Sequence, residues 1–135
     1  MSKRVGWVTE SLAALFLLLR GLRIISRNYF CSYGELDLIA LHRERPRRTT
    51  ALVFIEVRYR SSETFGIAAA SIDGHKQLRL IKTADHFIHT HQQYSRHPVR
   101  FDAVLMTWSK RLPQITWIKD CLLYTSDAAD EAWCG

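Results

Sequence analysis

The sequence predicts one α/β domain, a mixed β-sheet with helices packed on it in the order αβββαββ. Three observations lead there. Strand-forming runs recur at Leu22–Phe30, Leu36–Leu41, Leu52–Tyr59, Val99–Trp108 and Gln114–Lys119. Two other segments, Trp7–Arg20 and Gly74–His91, read as helices. A domain of roughly 120 residues is also long enough to bury one core without disulfides or structural zinc.

The elements follow in order. The first helix reads as a buried amphipathic segment. Met1–Arg4 is basic and Leu12–Leu19 is an unbroken apolar run. That run is too short to span a bilayer, and Arg20-Gly21-Leu22-Arg23 follows it where a small-residue cleavage site would stand. Gly21 is the expected C-cap. After the first strand, Gly34 gives a turn into the second. If the basic stretch His42–Thr50 is a hairpin loop, the second and third strands are antiparallel neighbours. Residues Ser61–Ile72 form a loop, and Ser71 or Asp73 can cap the second helix. Leu78, Ile81, Ala84 and Ile88 make its expected core stripe. The last two strands turn at Pro113. The sequence carries no internal repeat and no interdomain linker.

The second and third strands carry acids that an ordinary buried strand avoids. Side chains alternate along a strand, so Glu35, Asp37 and Ile39 share one face against Leu36, Leu38 and Ala40. Phe54, Glu56 and Arg58 likewise share a face against Val53, Ile55 and Val57. On adjacent strands Asp37 and Glu56 can converge, with Arg58 two residues further on. Two convergent carboxylates beside a cation suit a hard divalent ion and a phosphodiester. Mg²⁺ takes oxygen ligands and keeps several waters, one of which can act as nucleophile. The same residues would equally serve as a buried acid–Arg pair fixing strand register.

Charge points toward nucleic acid. Lys and Arg number 19 against 13 acids, a formal +6. A basic domain attracts phosphate backbones through counterion release. Arg43, Arg45, Arg47 and Arg48 form a run that either stays solvated or grips a backbone phosphate. Arg60 follows the third strand, and Lys76, Arg79 and Lys82 lie at helical spacing as a second phosphate-contacting ridge. Tyr59 and Phe65 flank the site. His86, His89 and His91 lack a partner set for a metal and read as surface residues. An acidic membrane surface would also attract the charge, but no basic amphipathic helix is evident and no membrane role is expected.

At this point the residues carry a resemblance. Asp37 followed by Glu56-Val57-Arg58 resembles the PD-(D/E)xK nuclease signature, with Arg58 where that superfamily most often has Lys. Glu10, Arg27-Asn28, Gly34-Glu35-Leu36-Asp37-Leu38-Ile39, Phe54-Ile55-Glu56-Val57-Arg58-Tyr59-Arg60 and Phe65-Gly66 extend it. So do Lys76, Arg100-Phe101-Asp102 and Trp117-Ile118-Lys119-Asp120. Together these words, over residues 4–120, are similar to the UPF0102 (YraN-like) family of small bacterial proteins. That family is related to Holliday junction resolvases of the restriction-endonuclease-like fold.

The resemblance implies a restriction-endonuclease-like sheet and an endonuclease acting on DNA rather than RNA, with branched or structured sites as candidates. It implies Mg²⁺ or Mn²⁺ held by Asp37 and Glu56, with Glu10 as a third carboxylate; Glu35, at the strand entrance, is placed behind them, where it would orient a basic neighbour. A homodimer is expected by the same analogy, while the lone Cys31 of the domain suits a reducing cytoplasm. Arg58 stays charged and is a poor proton acceptor, though it can orient water and neutralise developing charge. Two alternatives therefore stand beside the nuclease. One is a DNA- or RNA-binding module on a nuclease scaffold with little or no cleavage. The other is a small structural protein whose carboxylates form only an ion-pair network.

Residues Cys121–Glu131 read CLLYTSDAADE, which back-translates to a transposase-type sequencing adapter. Residues 121–135 are accordingly read as a non-native tail behind a domain of residues 1–120. Asp127, Asp130 and Glu131 lie in that tail, leaving 10 acids against 19 bases, a formal +9. Only Cys31 then remains in the domain, so no internal disulfide and no Cys-based zinc site is expected.

Overall fold

The computed structural model of the protein describes residues 3–45, 48–59, 74–109 and 112–121. Among these residues the chain runs α1 (Lys3–Leu19), β1 (Leu22–Cys31), β2 (Gly34–Glu44), β3 (Thr49–Tyr59) and α2 (Gly74–Thr90). A 3₁₀ turn (Gln92–Tyr94), β4 (Val99–Ser109) and β5 (Leu112–Ile118) follow. The five strands lie side by side in chain order. β1–β2, β2–β3 and β4–β5 are antiparallel, while β3 and β4 are parallel. A parallel pair needs a long crossover, and α2 lies within it. The α/β class and a mixed sheet flanked by helices are thus observed.

Each helix covers one face. Ala13 and Leu17 of α1 pack on Leu38, Ala40, Val53, Ile55, Val104 and Met106. Leu80, Ile81, Ala84 and Phe87 of α2 pack on Ile39, Leu52, Phe54, Phe101 and Ala103. The α2 stripe differs from the expected one. Leu78 is 46 % exposed, whereas Gln77, Leu80, Thr83 and Phe87 are buried. Choosing Phe87 and Leu80 over Leu78 turns the helix so that its largest rings meet Phe54. α1 also departs from expectation: Trp7, Leu15, Leu18 and Leu19 face outward, because a run apolar on all sides can bury only one stripe. No helix among the described residues is long and apolar enough to cross a membrane.

The strand ends moved too. The β2–β3 ladder continues to Glu44↔Thr49, so the hairpin loop is far shorter than His42–Thr50. Pro113 lies inside β5 opposite Trp108 instead of at the turn. β5 is an edge strand, where a residue without an N–H is tolerated. Gly21 has φ +95 and donates to Leu18 O, closing α1 as expected. Ser71, Asp73, Phe65 and Gly66 lie outside the described residues.

A buried ionic cluster ties three strands together on the sheet face that carries α1. Arg100 Nε and one terminal nitrogen donate to the two Asp102 oxygens, each at 2.9 Å. Arg100 also donates to Glu44 Oε1 and to His42 Nδ1. Asp102, 1 % exposed, further accepts from Trp117 Nε1 and from the Asp120 N–H. Every carboxylate lone pair that matters is used, which offsets the cost of burying the charge. Burial and the Arg100 guanidinium hold His42 below the ordinary histidine range, consistent with a neutral ring accepting at Nδ1.

Cys121, the first residue of the tail as read from the sequence, is buried in the α2-side core and donates its N–H to Phe101 O. The packed domain therefore extends one residue past Asp120. Burial pushes its thiol up to about 12, so it is an inert core group.

Two outcomes follow for stability. Asp102→Ala strands a buried guanidinium and should lower urea-unfolding stability by about 3–5 kcal/mol. The His42 contribution is complete above the ordinary histidine pKa and lost as pH falls toward its depressed folded value, so wild-type stability should decline there. A full-sized Asp102→Ala protein with unchanged stability would refute this account of the cluster. Separately, removing residues 122–135 should leave the melting temperature unchanged, whereas removing Cys121 as well should lower it.

Candidate functional site

β2 loosens its grip on both neighbours at one position. On one side the ladder pairs Arg27↔Leu38 and Tyr29↔Leu36, passing over Asn28 and Asp37. On the other side it begins only at Leu38↔Ile55. One residue beyond that pair, Asp37 stands opposite Glu56. Its Oδ2 accepts the Val57 N–H at 2.8 Å, so a side chain substitutes for the missing strand partner. The alternation expected from the sequence slips here. Leu36 packs on the α2 side with Ile39, while Leu38 and Ala40 pack on the α1 side. Leu36 therefore does not share a face with Leu38; a strand released from its ladder is free to twist.

The release opens a cleft of about 390 Å³ lined by Gly34, Glu35, Asp37, Glu56, His75, Lys76, Arg79, Leu80 and Thr83. Gly34 has φ +148, and a Cβ there would stand 3.3 Å from Thr83 Oγ1, so glycine lets the hairpin pass close under α2.

The three expected carboxylates reach this region by different routes. Glu10 comes from α1 and lies close enough to Asp37 to raise that carboxyl. With the Asn28 amide nitrogen turned toward it, Glu10 also accepts at 2.7 Å and 3.0 Å. Asn28 sits at φ +54, a left-handed conformation Asn tolerates better than most residues. In the sequence, only its place in the Arg27-Asn28 pair marks Asn28 out. Glu56 meets two cations on one oxygen. Lys76 Nζ is 2.6 Å from Oε1, and Arg58 Nε is 3.6 Å from it. Glu35 is exposed at the cleft edge.

Burial raises the Asp37 carboxyl to about 7, reinforced by Glu56 and by the charge and hydrogen bond of Glu10 and opposed by the Val57 N–H. Near neutral pH the Asp37 carboxyl is thus protonated an appreciable part of the time.

The donor set suits a hard divalent cation: two carboxylates plus waters are enough for Mg²⁺. The side chains are nonetheless committed to one another. Among the described residues no three His, Cys, Asp or Glu groups already form a metal cluster. Glu10 faces Asn28, and Glu56 faces Lys76 and Arg58. Of the three expected carboxylates Asp37 and Glu56 line the cleft, with Glu35 at its edge.

The basic residues divide. Lys76 and Arg79 line the cleft, and Lys82 continues the row into a neighbouring hollow with Tyr33, Asp85, His86 and His89. Arg45 and Arg48 do not flank the carboxylates as one sequence reading allowed. They sit at the Glu44–Thr49 end of the hairpin, on the order of 20 Å along the strands from Asp37. Arg47 and Arg60 lie outside the described residues. His86 and His91 are less superficial than expected. His86 Nδ1 hydrogen-bonds the Tyr29 hydroxyl, and His91 stacks on Phe87 with centroids 4.1 Å apart.

Comparison with known proteins bears on these residues. The model of a family described as "Uncharacterised protein family UPF0102" matches residues 9–106. A UPF0102 protein of Methylobacillus flagellatus is 44 % identical over 119 residues, 87 % of this chain and 96 % of that one. One from Nitrosomonas europaea is 45 % identical over 115 residues, covering 85 % and 90 %. A third, from Stutzerimonas stutzeri, is 39 % identical over 119 residues, covering 88 % and 94 %.

The raised Asp37 pKa makes a signed prediction. Between the ordinary aspartate range and pH 7 the folded state keeps a proton that the unfolded chain releases, so this group's contribution to stability falls as pH rises. At pH 8, without divalent ions, Asp37→Asn should therefore melt above wild type, by about 2 kcal/mol after discounting for an open cleft. The gap should close toward pH 4. Equal melting of the two proteins at pH 8 would contradict the assigned burial.

Proposed function

Since the chain belongs to the uncharacterised protein family UPF0102, we propose that it is a Mg²⁺- or Mn²⁺-dependent endonuclease of the restriction-endonuclease-like fold that hydrolyses phosphodiesters in branched or otherwise structured DNA. The observation that carries this reading is the placing of Asp37 and Glu56 side by side where the β2–β3 ladder ends, in a cleft whose far wall is Lys76 and Arg79.

Asp37 and Glu56 would hold the cation, which supplies Lewis-acid polarisation of the phosphate and a more acidic water. Glu10, itself held by Asn28, sets the charge and orientation of Asp37. Arg58 is buried beside Glu56 and limits where that carboxylate can lie. Arg79 and Lys82 are exposed and follow one side of α2 away from the cleft, a row that suits successive backbone phosphates. An excess of bases, 19 against 13 acids over the whole chain, favours the same partner.

The test is direct. The protein should bind a DNA junction with an affinity that falls steeply with salt, and Arg79→Ala or Lys82→Ala should each lower the log–log salt slope by about 1. With Mn²⁺ or Mg²⁺ the strand should be cut. Asp37→Asn and Glu56→Gln should abolish cutting while leaving metal-free binding intact or tighter, because each removes a negative charge near the phosphates. Salt-sensitive binding without cleavage in either metal would favour the binding-module reading, to which Arg58 in the usual lysine position already lends some weight. Absence of both binding and cleavage would leave the carboxylates as a structural network.

A further inference from the structure

The two cations on Glu56 are not equivalent. Arg58 is 7 % exposed, and its Nε lies close enough to Glu56 for attraction but too far for a hydrogen bond. That buried Nε has no hydrogen-bond partner. A guanidinium so enclosed cannot leave to meet a substrate. Lys76 contacts the same carboxylate oxygen at 2.6 Å from the opposite wall, with its side chain 43 % exposed. Lysine is a compact charge on a flexible four-carbon stem, suited to exchanging one anion for another.

The position of Lys76 adds an independent sign. It lies in the first turn of α2, which has no acid there and carries His75 and Lys76 instead. Cations at a helix N-terminus oppose the macrodipole, so this placement is unfavourable unless an anion is gathered there. Glu56 supplies one anion now, and the cleft has room for a second.

We propose that Lys76, and not Arg58, is the cation that contacts the reacting phosphate, and that it reaches it by changing partners. In the metal-free protein Nζ neutralises Glu56. When Glu56 turns to a divalent cation, Nζ moves to a non-bridging oxygen of the phosphodiester and stays protonated, supplying charge and accepting no proton. Arg58 remains behind Glu56 as a positioning residue. This inference rests on the nuclease reading and assigns its charge-stabilising group to a helix instead of the third strand.

The assignment makes two readouts move in opposite directions. Lys76→Met removes a cation that competes for Glu56, so Mn²⁺ measured by calorimetry should bind several-fold more tightly. The same variant, at saturating Mn²⁺ and DNA, should lose about 100-fold or more in single-turnover cleavage. Lys76→Arg should recover part of that rate, and Lys76→Met should melt normally because the side chain is partly exposed. Cleavage by Lys76→Met within about threefold of wild type would overturn the proposal while leaving the nuclease reading intact. Weakened Mn²⁺ binding in that variant would also overturn it, making Lys76 a support for the carboxylates. Should the wild type neither bind Mn²⁺ nor cut, the nuclease reading itself falls and this inference with it.

Discussion

The hydrogen bond from the Val57 N–H to the Asp37 carboxylate is the constraint on which the candidate site depends. A backbone N–H at the end of a ladder must find an acceptor, and here a side chain replaces the neighbouring carbonyl. That exchange lets β2 and β3 part after Leu38↔Ile55 without leaving the donor unsatisfied. The parting opens the cleft, and the same bond draws Asp37 inward, where desolvation raises its pKa. The left-handed Asn28 and the slipped alternation at Leu36 are the local consequences on either side.

Two polar clusters on the same sheet have opposite characters. On the α1 face, Asp102 and Arg100 are saturated by His42, Glu44, Trp117 and the Asp120 N–H. The cluster acts as a clamp across β2, β4 and β5. Where the β2–β3 ladder ends, Glu10, Asp37 and Glu56 crowd one another, burial raises the Asp37 carboxyl, and Arg58 Nε has no hydrogen-bond partner. An unsatisfied buried donor and crowded like charges beside an open cleft mark places where stability has been yielded to binding or chemistry. The clamp secures the sheet that carries this less settled end.

Lys76 illustrates how tertiary packing alters a residue's meaning. In the sequence it is one member of a basic ridge with Arg79 and Lys82. Packed on the sheet, α2 keeps Arg79 and Lys82 exposed along one side but brings Lys76 against Glu56. Arg45 and Arg48 show the reverse. Their charge was plain in the sequence, but the long β2–β3 ladder carries them to the far end of the sheet.

Local chemistry made much of the protein legible. Strand runs, the glycine stop at Gly21, the α/β class and the pairing of Asp37 with Glu56 all follow from periodicity, turn residues and the two-residue repeat of a strand. Such features depend on near neighbours, so the chain spells them out. The sequence could not reveal where the ladder ends, which face Leu36 takes, or that Phe87 instead of Leu78 anchors α2. Nor could it reveal that Asn28 holds Glu10 or that Cys121 fills a core position. Those outcomes belong to tertiary structure, because each is a competition among groups distant in sequence for the same space, hydrogen-bond acceptor or counter-charge.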